Sequence, residues 1–112
     1  MRLEQKTEQD YEAAPGLFRT ILVTSERLML VRFLFQTGAE APTHTHPHEQ
    51  DGFCLFGHVE MWIGDQTLDL RAGDSYAVPS GVPHGARALE PSAVIDAFAP
   101  PREDFLAQEA KP

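Results

Sequence analysis

Residues 38–57 read GAEAPTHTHPHEQDGFCLFG, and this stretch decides the fold. His44 and His46 stand two apart. On an extended strand that spacing sends both imidazoles to one face, near enough to grip a single ion. Ala41 to His46 therefore reads as a short strand, broken at Pro47, which cannot donate to a ladder. Asp51 to Phe56 reads as the next strand, stopped by Gly57.

The flanks repeat this grammar. Upstream, Leu17 to Thr24 is β-rich, and Arg27 to Gln36 (RLMLVRFLFQ) is a short apolar run that ends at Thr37 and Gly38. Residues 1–16 are polar and read as an arm or an edge strand. Downstream, His58 to Ile63 and Gln66 to Leu70 flank Gly64 and Asp65, a hairpin signal. Ser75 to Val78, His84 to Leu89 and Ser92 to Ala99 follow. Pro100 and Pro101 end the sheet, and Arg102 to Glu109 suits one short helix. Nine or ten evenly spaced short strands predict an all-β sandwich or barrel. At 112 residues the chain is the size of a single domain, 1–112.

Composition narrows the partners. The net charge is −8 and no Lys/Arg cluster occurs, so nucleic acid is not expected. No apolar run approaches a membrane span, and the polar start lacks a signal-peptide core, so the default is cytoplasmic. Cys54 is the single cysteine and excludes an intrachain disulfide. The Leu28 to Phe35 run holds more apolar residues than one barrel face needs, which predicts a homodimer surface. Within it, Arg32 either reaches the pocket or crosses that interface.

His84 follows a Pro79-Ser80-Gly81-Val82-Pro83 turn and completes a set of three neutral imidazole ligands with His44 and His46. The spacing also resembles the cupin family. Gly38, His44, His46, Gln50 and Gly57 fall on its first motif, G-x5-H-x-H-x3-4-E-x6-G. Gly73, Pro79, Gly81 and His84 fall on its second, with Ala88 where the motif has Asn. The resemblance implies a double-stranded β-helix barrel holding one divalent metal ion: Ni, Zn, Fe or Mn.

Gln50 stands where the motif has Glu. Glu49 is out of phase on the strand, and Asp51 would bring Gly57 one residue too close. Gln50 is the preferred fourth ligand. Three neutral imidazoles and a neutral amide leave the dication's charge uncancelled, which favours a small anionic ligand. His48 shares the phase of His46 but follows Pro47 and reads as a rim residue; Cys54 shares the face of Gln50 and reads as buried structure.

Val94, Asp96 and Phe98 alternate onto one strand face, so Asp96 is a carboxylate among apolar neighbours and a candidate proton carrier. Arg102 is either a fork for a substrate carboxylate or a salt-bridge partner for the acidic tail, and the residues alone favour the second. A narrower resemblance bears on both. HTHPHEQ (44–50), the Val82-Pro83-His84 segment and DAFAPPREDFL (96–106) are similar to the KdgF family of single-domain cupins. That family uses Gln as the fourth ligand and converts cyclic 4,5-unsaturated uronates, released by pectin or alginate lyases, into linear ketonised sugars. The resemblance implies functional roles for Asp96, Phe98 and Arg102 and a small anionic sugar as substrate. The competing readings are a cupin dioxygenase, which needs a redox metal and an open oxygen site, and a sugar-acid-binding cupin without catalysis.

Overall fold

The computed structural model describes residues 10–110. Ten strands precede one helix: β1 (Tyr11–Ala14), β2 (Leu17–Thr24), β3 (Met29–Phe35), β4 (Glu40–His44), β5 (Glu49–Phe56), β6 (His58–Ile63), β7 (Gln66–Arg71), β8 (Ser75–Val78), β9 (His84–Ala88), β10 (Ser92–Ala99) and α1 (Glu103–Glu109). They form two antiparallel sheets, ordered β1-β2-β3-β10-β5-β8 and β4-β9-β6-β7. The expected all-β barrel with a short terminal helix is what the chain adopts. β1 is an edge strand, as expected for that segment, while residues 1–9 of the expected arm lie outside the described residues. No helix among the described residues is long and apolar enough to cross a membrane.

Alternation decides what faces inward. In β5, Gln50, Gly52 and Cys54 are buried while Glu49, Asp51, Phe53 and Leu55 are exposed. In β10, Val94, Asp96 and Phe98 are buried; in β8, Tyr76 and Val78 are. Register lines these residues up across three strands. Gly52 stands between Tyr76 and Asp96, and Gln50 stands between Val78 and Phe98.

The core has two parts. One fills the space between the sheets with Leu17, Phe35, Cys54, Met61, Val78 and Val94 among others. The other joins Ile21, Met29, Val31 and Phe98 to Phe105 of α1. A seven-residue helix is too short to persist alone. Phe105 anchors it, and Phe33 packs against both parts.

One boundary differs from the sequence reading in a way that matters. β4 ends at His44, not His46. Pro47 restricts the residue before it and removes a donor, and the pairing with β9 is already irregular between Ala41 and His44. His44 pairs with His84 at the strand end, while His46 sits in the following loop. The two histidines are therefore not companions on one strand face: His44 is exposed and His46 buried.

The loop is held by the second motif's turn. Gly81 N donates to His46 O (2.9 Å), Thr45 Oγ1 to Gly81 O (3.2 Å) and Ser80 Oγ to Pro47 O (2.6 Å). Gly81 has φ +78°, a conformation open to glycine and costly for other residues. The turn that delivers His84 thus also fixes His46.

Candidate metal centre

The three histidines converge. One ring nitrogen from each of His44, His46 and His84 lies within 4.8 Å of the other two. His46 Nε2 is 3.2 Å from His84 Nε2 and 3.1 Å from Gln50 Oε1. The four residues expected to ligate are therefore brought together, from the end of β4, the loop after it, β5 and β9.

The tautomers follow from the outer contacts. Nδ1 of His44 lies 2.7 Å from Pro42 O, Nδ1 of His84 lies 2.8 Å from Val82 O, and Nδ1 of His46 lies 3.1 Å from His48 O. A carbonyl oxygen can only accept, so each Nδ1 carries the proton. Each Nε2 then presents a lone pair, and for His46 and His84 it faces the other ring. The Gln50 oxygen adds another lone pair. Acceptors facing one another at 3.1–3.2 Å repel unless a cation lies among them. The donor set thus fits a divalent ion, with backbone carbonyls fixing ring orientation.

Burial keeps His46 and His84 neutral. The His46 pKa is lowered to about 4, first by loss of hydration and then by the charges of Arg102 and His84. His84 is lowered chiefly by burial. Both rings are poised to bind a metal at neutral pH without first losing a proton.

Glu49 and Asp51 face outward, so neither competes with Gln50. His48 gives its carbonyl to His46 and its ring stands 5.5 Å from that of His46, while its Nδ1 is buried without a partner. His58 is occupied with Asp69 of the neighbouring strand β7. Arg32 pairs with Asp10 and Thr20. Cys54 is fully buried in the core, where burial pushes its thiol pKa up. Met61 is buried, and Trp62, on the opposite face, donates to Thr43 Oγ1 (2.7 Å).

Beside the ligands lies a cavity of about 260 Å³, with His44, Gln50, His84, Asp96, Phe98 and Arg102 in its wall. Asp96 is 2% exposed, and its burial raises the carboxyl pKa to about 6. Phe98 stands edge-on to His46, ring centres 5.8 Å apart. Arg102 makes the salt bridge expected with the tail, a bidentate pair with Asp104 at 3.0 and 2.8 Å. Its guanidinium also lines the cavity and lies over Phe105 at 3.9 Å.

Two residues of the wall escaped the sequence reading. Tyr76 donates to Asp96 Oδ1 at 2.5 Å from the far side of Gly52. Arg19 is buried, reaches the cavity, bonds Glu109 and Gln108 of α1 at 2.9 Å each, and also lies over Phe105 at 3.8 Å. The alternation Leu17, Arg19, Ile21 would have turned Arg19 inward. Nothing local marks Tyr76, because its partner is two strands away.

The profile of the cupin domain matches residues 31–98. The pectin degradation protein KdgF of Dickeya dadantii is 36% identical over 97 residues, 85% of this chain and 88% of that protein. H2HPP isomerase of Bacillus subtilis is 31% identical over 79% of this chain but 38% of its own length. The structure of KdgF from Halomonas sp. superposes with a TM-score of 0.88 at 33% identity, covering 94% of this chain and 98% of that one. Two motifs, an assembled three-histidine cluster and a similarity spanning most of both chains lead to one conclusion: the chain belongs to the cupin family, among its KdgF-like members.

Proposed function

We propose that this protein is a metal-dependent enzyme that opens cyclic 4,5-unsaturated monouronates, made by pectin or alginate lyases, into linear ketonised sugars. The observation that carries this reading is the shared cavity: His44, Gln50 and His84 meet Asp96, Phe98 and Arg102 around about 260 Å³, a space suited to one monosaccharide. The similarity to a pectin degradation protein supports the pathway.

His44, His46, His84 and Gln50 would hold the ion. A bound divalent ion supplies a Lewis acid that stabilises negative charge developing on a sugar oxygen. The chain's own residues do the rest. Arg102 offers a planar fork to the substrate carboxylate, which competes with Asp104 for it. Arg19 adds a second cation to the same wall. Phe98 gives the sugar an apolar face. Asp96 moves the proton: the C1 hydroxyl loses one as the ring C–O bond breaks, and C4 gains one as C5 becomes a carbonyl. No co-reactant is consumed, so one carboxyl group near both positions suffices. Its pKa of about 6 suits both halves of that transfer.

A second copy of this chain is the proposed partner. Leu30 of β3 and Phe53 and Leu55 of β5 are exposed on the outer face of the larger sheet, with Ile95 and Ala97 between them.

The test is incubation with unsaturated galacturonate or mannuronate and each candidate metal, followed by NMR. Loss of the C4 vinyl proton well above the spontaneous rate is expected. Binding without conversion would leave a sugar-acid-binding protein instead, and oxygen consumption would leave a dioxygenase.

A further inference from the structure

The amide of Gln50 has two ends, and only its oxygen can ligate a metal. Nothing in a lone Gln side chain favours oxygen inward over nitrogen inward. In a metal-free site the nitrogen end would even be preferred, since it could donate to His46 Nε2. Yet Oε1 is the atom that faces His46, at 3.1 Å. The reason lies behind it.

Asp96 stands next to Gln50 on the inward face, opposite Gly52 and in the same cavity wall, where the Gln50 amide favours its charged form, and it accepts from Tyr76. A carboxylate only accepts, so it draws the NH₂ end of the amide and leaves the carbonyl end for the ion. Tyr76 grips Asp96 Oδ1 from the opposite side. That reach crosses β5 and is open only because residue 52 is glycine. A Cβ there would overlap the Tyr76 ring and hydroxyl and Asp96 Oδ1. Register places the three in one row, Tyr76, Gly52, Asp96, beside Gln50. Tyr76 and Asp96 are both deeply buried, so water offers no substitute contacts.

From this row we infer that Tyr76, acting through Asp96 across the gap at Gly52, is a positioning residue that fixes the Gln50 amide with its oxygen toward the metal. The arrangement also accounts for Gln at this position. A Glu side chain would set a second carboxylate against Asp96, whereas an amide supplies the donor that Asp96 lacks. The inference rests on the metal reading of the site but not on the identity of the substrate.

The experiment is titration of the purified full chain with cobalt(II) chloride, read by calorimetry and by the visible spectrum of the bound ion. Tyr76→Phe keeps the ring and removes only the hydroxyl. It is expected to weaken cobalt binding on the order of tenfold, the size of other outer-contact losses, and to alter the visible spectrum. A merely structural Tyr76 would lower the metal-free melting temperature and leave that spectrum unchanged. Asp96→Asn offers one acceptor to two donors and should show a like defect. The double variant should bind no more weakly than Asp96→Asn alone, because Tyr76 acts only through Asp96. Wild-type affinity and spectrum in Tyr76→Phe would overturn the inference, as would losses that multiply in the double variant. A wild-type chain that takes up no cobalt would overturn the metal reading, and this inference with it.

Discussion

At the residue scale, the site sets two buried groups in opposition. His46 is held neutral by burial, and Asp96 is held partly protonated by the same cause. For Asp96 the sign is unfavourable to stability at neutral pH. Its folded pKa of about 6 lies above the ordinary value of 3.8, so its contribution is complete below pH 3.8 and is lost as pH rises through 6. Asp96→Asn removes that loss. In the metal-free protein its stability relative to wild type should be greater at pH 7 than at pH 4, by on the order of 2 kcal/mol. Urea unfolding at both pH values checks this, and equal differences at the two would refute it. The same variant should lose most turnover of an unsaturated uronate, measured by NMR. Arg102→Lys keeps the charge but loses the fork. It should raise KM for an unsaturated uronate about tenfold while changing kcat less; an unchanged KM would remove Arg102 as the carboxylate anchor.

At the element scale, α1 is held from outside itself. Phe105 plugs the second core cluster, and Arg19 and Arg102 bind Glu109, Gln108 and Asp104 along it. Both guanidiniums also lie on the Phe105 ring, at 3.8 and 3.9 Å. The helix is thus part of the cavity wall and orders both cations. Phe105→Ala should destabilise the fold by about 3 kcal/mol and also weaken binding of a uronate. Calorimetric affinity that stays at the wild-type level would show that α1 does not order the arginines. The strand β4 carries the converse lesson. Its early end, set by Pro47, moves His46 into a loop, and the turn around Gly81 takes over the positioning that a strand would have given.

At the scale of the whole molecule, one sheet faces outward with apolar side chains in contiguous register. Phe53 is 44% exposed and Leu55 is 42% exposed. If a second copy covers this face, Phe53→Glu should yield a monomer where wild type runs as a dimer in light scattering. A wild-type monomer would refute the pairing.

How much of this was legible without the fold can be argued from particular residues. The strand phase of Val94, Asp96 and Phe98 is a local property, since period two turns alternate residues to one side, and the sequence carries it. The same holds for Gln50, with Glu49 and Asp51 turned outward. The turn before His84 is written in Pro79, Gly81 and Pro83. The chain therefore determined by itself its strands, which residues converge with His84, and the inward face of its acid. Three things depended on tertiary structure. His46 reached the site from a loop, because hydrogen bonds from a turn 35 residues away hold it. Tyr76 met Asp96 only through cross-strand register over Gly52. Arg19 and Arg102 came to one wall because α1 folds back on the barrel. Each is a contact between segments remote in sequence, and pattern along a chain reports faces, whereas only packing reports which faces meet.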